Sequence, residues 1–133
     1  SKMSLMTNIS LRIDWSELDI FGHVNNVAFN KYAQAARLNY VDTIGLMELH
    51  KTQNIGFMVA ETNCQFKKEL LFPGNIHIQT KIDFVKNTSF ALEHMMTNDN
   101  GDLIAIAKDV LVVFDFTQKE KCMIPEAIRE KIG

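Results

Sequence analysis

The sequence of 133 residues is poor in cysteine, has no excess of positive charge and contains no long apolar run. Its two cysteines, Cys64 and Cys122, lie far apart and form no Cys-x-x-Cys pair, so we expect reduced thiols in a cytoplasmic protein. The net charge of −2 argues against nucleic acid as a partner. No segment approaches the roughly 20 apolar residues that span a bilayer. We also expect no secretory signal, because residues 1–8 contain one lysine and no long apolar stretch.

The composition is that of a folded chain. Hydrophobic residues make up 47% of the sequence and charged residues 23%, which excludes an intrinsically disordered protein. Residues 1–133 fit a single domain, and a chain of this size buries about two-thirds of its unfolded surface. The sequence therefore predicts one domain with a real core.

The first half of the chain predicts a strand followed by a long helix. Polar and apolar residues alternate over residues 8–14, as in a half-buried strand, and residues 15–26 show no sustained period. Apolar side chains then recur every three or four residues over 27–44, and Gly45 is a typical helix stop. The apolar stripe of this predicted helix consists of Phe29, Ala33, Ala36, Tyr40 and Ile44. A short extra helical turn is predicted over 46–52.

The second half predicts four strands. From residue 56 the period changes to two, with Met58, Ala60, Thr62, Cys64 and Phe66 on one face. Further strands are predicted around 76–84, over 89–97 and over 103–116, and a terminal helix over 125–132. Short turns between the strands predict successive hairpins. We therefore expect an α+β fold, in which the long helix packs on an antiparallel sheet.

The residues that could carry chemistry are concentrated in residues 19–26, Asp-Ile-Phe-Gly-His-Val-Asn-Asn. This segment places a carboxylate, an imidazole and two amides directly before a helix, whose first N–H groups are unpaired and carry positive dipole charge. Such N–H groups can hold an oxyanion, and a nearby carboxylate can act as base or nucleophile. The alternative is a capped loop in which Asp19 makes a turn, His23 fills a gap and Asn25 or Asn26 caps the helix.

Other kinds of site find no support in the sequence. His50, His77 and His94 are scattered without the spacing of zinc ligands, so we expect them on the surface or filling pockets. No Gly-x-Ser-x-Gly elbow, phosphate-binding glycine loop or dinucleotide fingerprint is present. The sequence therefore predicts neither a metal nor a cofactor.

Residues 14–26 resemble the signature of hot-dog fold acyl-CoA thioesterases of the 4-hydroxybenzoyl-CoA thioesterase type. The resemblance covers most of the chain and extends through Tyr32, Ala36, Arg37 and the segments 72–74, 88–90 and 111–115. It implies a long central helix wrapped by an antiparallel sheet of about five strands. It also implies a homodimer or homotetramer with sites between subunits, and an acyl-CoA or acyl-carrier-protein substrate.

The same resemblance implies roles for particular residues. Asp19 matches the catalytic carboxylate, which attacks the thioester or activates water. Asn26 matches the residue whose backbone N–H binds the oxyanion. The positions implied to bind substrate or support the site are His23, Asn25, Phe29, Phe72, Lys86 and Ser89.

Two alternatives to a hydrolase remain at this stage. A non-catalytic hot-dog protein would bind an acyl thioester or a protein partner without turning it over. A hot-dog dehydratase would act on hydroxyacyl thioesters, although the loop around Asp19 resembles the hydrolase pattern more closely.

Overall fold

A computed structural model describes residues 4–133. Its long elements follow the predicted order, and their ends differ from the predicted ones by at most three residues. The helices and strands are β1 (Thr7–Arg12), α1 (Ala28–Thr43), α2 (Leu46–Gln53), β2 (Ile55–Phe66), β3 (Asn75–Val85), β4 (Ser89–Thr97), β5 (Leu103–Asp115), β6 (Glu120–Lys121) and α3 (Glu126–Ile132). The two-residue strand β6 and a 3₁₀ turn at Trp15–Glu17 are the additions to the predicted set.

The sheet is antiparallel, with the strand order β1-β3-β4-β5-β2, and β6 pairs with the end of β5. The predicted hairpins β3–β4 and β4–β5 are confirmed, but the predicted hairpin between β2 and β3 is wrong. Residues 67–74 connect β2 to β3 across the sheet. Leu70 in this connection packs in the same core cluster as Ala28 and Phe29 at the start of α1. The connection therefore passes the N-terminal end of the helix, which no tight turn could do.

Helix α1 buries the predicted apolar stripe. All five stripe residues, from Phe29 to Ile44, are at most 4% exposed. The N-terminal half of the helix packs with β1, β3, β4 and β5 in one core cluster, and the C-terminal half packs with α2 and α3 in another. Small alanine side chains at positions 33 and 36 allow the helix to approach the sheet closely, so the fold depends on this stripe.

A bulge in β2 changes which residues face the helix. The pairing of β2 with β5 shifts at Ala60, between Val59 and Glu61. Phe57 packs against the core, whereas Met58 is 50% exposed. The prediction that Met58 and Phe66 share one face is therefore wrong, because the extra residue reverses the alternation of side chains.

A buried polar cluster lies where α1 crosses the sheet. The Asp109 carboxylate accepts hydrogen bonds from Arg37 Nε at 2.9 Å, His94 Nε2 at 2.7 Å and Thr62 Oγ1 at 2.9 Å. His94 Nδ1 lies 2.8 Å from Thr80 Oγ1. Since the Asp109 carboxylate accepts, His94 Nε2 carries the proton of this hydrogen bond. Of the two positions expected for His94, the surface is wrong, because the side chain is fully buried and fills an interior position in this cluster.

Candidate active site

The loop before α1 is closed by main-chain hydrogen bonds. The N–H of Asp19 donates to the His23 carbonyl at 2.7 Å, and the Gly22 N–H donates to the Asp19 carbonyl at 3.1 Å. Gly22 has a φ of +81°, a conformation that side-chain-bearing residues rarely adopt. Leu18 and Val24 pair on either side of the turn. The loop therefore has a fixed shape that brings Asp19 and His23 face to face.

The carboxylate of Asp19 is held by the same loop. Its Oδ1 atom accepts the N–H groups of Phe21 at 2.9 Å and His23 at 3.1 Å. Its Oδ2 atom accepts no hydrogen bond from any residue in 4–133, and the side chain is exposed. Asp19 thus stabilises the turn through one carboxylate oxygen, as a purely structural residue would. Its second carboxylate oxygen remains available to a ligand.

The start of α1 presents a free backbone donor. The Asn25 side chain caps the helix, because its Oδ1 atom accepts the Ala28 N–H at 3.1 Å. The Asn25 N–H is bound to the Glu17 carbonyl at 2.8 Å. The next N–H, that of Asn26, meets no acceptor within the described chain. It therefore matches the unpaired donor expected at the positive end of a helix.

Asp19 and Asn26 line one cleft of about 330 Å³. His23 and Phe29 also reach this cleft, so four of the predicted site residues come together. The Phe29 ring meets the Phe66 ring edge to face at 5.1 Å, which gives the cleft an aromatic wall opposite its polar groups. The remaining lining residues are Val24, Lys67, Lys68, Glu69 and Leu70.

The rim of the cleft carries both signs of charge. His23 Nε2 lies 3.3 Å from a Glu69 carboxylate oxygen. Lys68 is engaged with Asp102 at 2.8 Å, whereas the Lys67 amine forms no ion pair within residues 4–133. Lys67 is therefore the cation at the rim that remains available to a ligand. No group of three or more His, Cys, Asp or Glu side chains in this part of the chain could hold a metal ion.

Four predicted residues do not line the cleft of a single subunit: Asn25, which sits at the start of α1 beside it, and Phe72, Lys86 and Ser89. Phe72 lines a separate surface pocket with Arg12. Lys86 and Ser89 close the β3–β4 turn, where the Lys86 N–H donates to the Ser89 carbonyl at 2.7 Å. Ser89 pairs with Val112 of β5, whereas Phe66 at the cleft pairs with Ala105. Seven residues of β5 separate the two levels, which corresponds to about 23 Å. The predicted roles of these residues therefore stay predictions.

The sequence interpretation missed Glu17, which is only 7% exposed. Its carboxylate binds the Asp14 N–H at 3.0 Å, the Tyr32 hydroxyl at 2.8 Å and the Lys31 amine at 2.9 Å. Burial raises the pKa of Glu17, but these hydrogen bonds outweigh burial and leave the pKa below its usual value. The Asp14-x-x-Glu17 spacing of a capping box was the available signal.

A protein-family model described as the thioesterase-like superfamily matches residues 13–132. The chain belongs to this superfamily. The expectation of a thioesterase is confirmed at this level, while the narrower 4-hydroxybenzoyl-CoA type is a finer assignment. No helix in residues 4–133 is both long and apolar enough to cross a membrane.

Similar proteins cover nearly the whole chain. The long-chain acyl-CoA thioesterase FadM of Escherichia coli (strain K12) is 20% identical over 123 residues, covering 92% of this chain and 93% of that protein. The structure of the gentisyl-coenzyme A thioesterase BH1999 is 29% identical, with a TM-score of 0.82 and coverage of 96% and 100%. The protein SAV2348 of Staphylococcus aureus, solved in complex with CoA, has a TM-score of 0.89 at 12% identity, covering 99% of this chain and 84% of that one. The predicted hot-dog fold is therefore confirmed.

Proposed function

We propose that the protein hydrolyses an acyl-CoA or acyl-carrier-protein thioester to a free acid and a thiol, as an enzyme of the 4-hydroxybenzoyl-CoA thioesterase type. The observation that carries this proposal is the shared cleft of Asp19 and Asn26. Among residues 4–133, Asp19 has a carboxylate oxygen without a partner and Asn26 has an unpaired backbone N–H. Thioester hydrolysis uses a nucleophile or base together with an oxyanion donor, and these two groups can supply both.

In this mechanism the thioester carbonyl lies against the start of α1. The Asn26 N–H donates to the carbonyl oxygen as negative charge develops there, and the helix dipole adds to this stabilisation. Asp19 either attacks the carbonyl carbon, giving a mixed anhydride that water then hydrolyses, or removes a proton from a water that attacks the same carbon. In both routes the C–S bond breaks, the acyl group leaves as the free acid, and the thiolate leaves and takes up a proton to give the free thiol. The His23 and Phe21 N–H groups hold the carboxylate in place by binding its other oxygen.

The substrate class follows from the cleft and the relatives. Phe29 and Phe66 offer an apolar wall to an acyl or aryl group next to the reacting carbonyl. Lys67 at the rim can meet a phosphate of the thiol carrier. FadM and BH1999, whose names specify long-chain acyl-CoA and gentisyl-CoA, support a CoA thioester as the substrate.

We propose further that the complete site needs a second copy of the chain. The twelve-residue strand β2 is an edge of the sheet, and its middle residues are exposed, including Met58 and Val59. The unpaired backbone N–H and C=O groups of such an edge can pair with a strand of another chain. Antiparallel pairing of two β2 strands would bring the Lys86–Ser89 end of one copy toward the Phe66 end of the other. The predicted roles of Lys86 and Ser89 would then be met across subunits.

The test is a thioesterase assay over short, long and aromatic acyl-CoAs with a thiol reagent. Asp19→Asn keeps the shape of the side chain and removes its charge, and we expect kcat to fall by about 10²–10⁴. Asp42→Asn, an exposed position of α1 outside the cleft, is the matched control and should leave kcat unchanged.

Three results would refute the proposal. Equal, slow thiol release by wild type and Asp19→Asn with every substrate would remove the catalytic role of Asp19. Tight acyl-CoA binding without turnover would favour the non-catalytic binding protein. Loss of enoyl-CoA absorbance on hydration would favour the dehydratase.

A further inference from the structure

Glu17 is a buried carboxylate that the proposed chemistry does not use. Its side chain is 8% exposed, although it lies two residues before Asp19. One oxygen, Oε1, accepts both the Asp14 N–H and the Tyr32 hydroxyl, and the other accepts the Lys31 amine. Tyr32 and Lys31 both belong to α1. The Glu17 side chain therefore ties the loop that carries Asp19 to the helix that carries the oxyanion donor.

The main chain of Glu17 makes a second connection. Its carbonyl accepts the Asn25 N–H at 2.8 Å, directly before Asn26. The following residue, Leu18, pairs with Val24, and Asp19 comes next. Glu17 thus contacts both the segment that carries the Asp19 carboxylate and the segment that carries the Asn26 N–H.

We propose that Glu17 is a positioning residue that sets the placement of the Asp19 carboxylate relative to the Asn26 N–H. This inference rests on the proposed thioester hydrolysis. A catalytic group displaced by about 1 Å can lose about 10²-fold in rate, so a loose connection between loop and helix costs activity even when the substrate still binds.

The hydrogen bond between Glu17 and Tyr32 keeps the same protonation state around neutral pH. Burial and the hydrogen bond to Glu17 raise the pKa of Tyr32, so its hydroxyl remains a donor. The Glu17 carboxylate, whose pKa is lowered, remains an acceptor. Because neither group titrates near neutral pH, a variant that keeps these bonds should retain the wild-type pH profile of kcat.

The experiment separates the hydrogen bonds of Glu17 from its charge. Glu17→Gln can keep an oxygen at the Oε1 position for Asp14 and Tyr32. Its amide NH2 group then faces the Lys31 amine, which is exposed and can move away. Glu17→Ala removes every side-chain bond and keeps the main-chain carbonyl that accepts the Asn25 N–H. Tyr32→Phe removes only the hydroxyl bond and keeps the ring, which packs on Phe29 at 5.3 Å. Lys31→Met is the control for the ion pair.

We expect Glu17→Ala to lower kcat about 10²-fold with little change in KM, and Tyr32→Phe to lower kcat several-fold. Glu17→Gln should keep kcat within about threefold of wild type. Lys31→Met removes only the contact to an exposed amine and should lower kcat less than Tyr32→Phe does. If Glu17→Ala does not fold, the Tyr32→Phe and Glu17→Gln pair carries the test. Unchanged kcat in Tyr32→Phe and Glu17→Ala would overturn the proposal, and so would a Glu17→Gln defect as large as that of alanine.

A second measurement distinguishes this proposal from the proposed activity. If wild type hydrolyses no thioester, the proposed function fails. Amide hydrogen exchange over residues 18–26 then still reports on the connection. Faster exchange in Glu17→Ala but not in Glu17→Gln would support the positioning role, and equal exchange in both would overturn it.

Discussion

Replacing Asp109 by alanine tests whether the buried polar cluster stabilises the fold. Asp109 is fully buried and accepts hydrogen bonds from Arg37, His94 and Thr62. Its removal leaves the Arg37 guanidinium, only 14% exposed, without its carboxylate partner. It also leaves His94 Nε2 buried without its acceptor. The variant therefore loses the attraction of Asp109 for its partners. It also leaves the Arg37 and His94 groups desolvated without a carboxylate that compensates for their burial.

Removing one partner of a buried ion pair costs about 3–5 kcal/mol, a large share of the stability of a small domain. Asp83→Ala is the matched control, since its pair with Lys108 at 3.4 Å lies on the surface, where pairs contribute about 0–1 kcal/mol. Urea unfolding of the two variants and wild type measures the difference, provided that the m-values agree. A loss below about 1 kcal/mol in Asp109→Ala, or equal losses in both variants, would refute the reasoning.

The same cluster predicts a dependence on pH. Burial raises the pKa of Asp109, but the hydrogen bonds from His94 and Arg37 outweigh it and hold the pKa at about 2, below the ordinary 3.8. Because the pKa of Asp109 is lower in the folded state than in the unfolded state, its ionised form stabilises the fold. This stabilisation is fully present above about pH 5 and disappears as the pH falls toward 2. It amounts to about 2 kcal/mol. The difference in unfolding free energy between wild type and Asp109→Ala should therefore narrow as the pH falls from about 5 toward 2.

Two further changes test the helix cap and the β2 edge. Asn25→Ala removes the side-chain acceptor of the Ala28 N–H, which keeps the Asn25 carbonyl at 3.1 Å, and should lower the unfolding free energy by about 1 kcal/mol. Asn30→Ala on the exposed face of α1 should cost nothing, and equal thermal stabilities of the two variants would contradict the cap. Met58→Lys places a charge on the β2 edge and should shift the sedimentation coefficient toward that of a monomer. Met123→Lys, at another exposed methionine, should leave the sedimentation coefficient unchanged. An unchanged dimer in both variants would exclude the β2 edge as the interface.

The elements that could be predicted from the sequence are those that local patterns specify. The stripe from Phe29 to Ile44 gave α1 to within a residue or two at each end, because a helix buries one face of a 3.6-residue period. The run Asn98 to Gly101 gave the β4–β5 turn, since these residues favour tight hairpins. The candidate residues Asp19 and Asn26 also came from one continuous segment.

What the sequence did not reveal depends on partners far along the chain. The position of β2 beside β5 is set by pairing across almost fifty residues, and its bulge at Ala60 has no local signature. The buried cluster joins Arg37 to Asp109 over 72 residues, so His94 could not be recognised as a core residue from its neighbours. Such contacts appear only once the sheet order is known.

The candidate site divides in the same way between local and distant contributions. The relation of Asp19 to Asn26 depends on hydrogen bonds within the loop and on Glu17, all in one stretch before α1. Lys86 is fixed by the β3–β4 turn at the far end of the sheet, and no change in the loop can bring it to the cleft of its own subunit. Defects in the loop should therefore lower kcat. Under the proposed pairing of two β2 strands, defects at this edge should instead raise KM, because the pairing would decide which residues of a second copy reach the substrate.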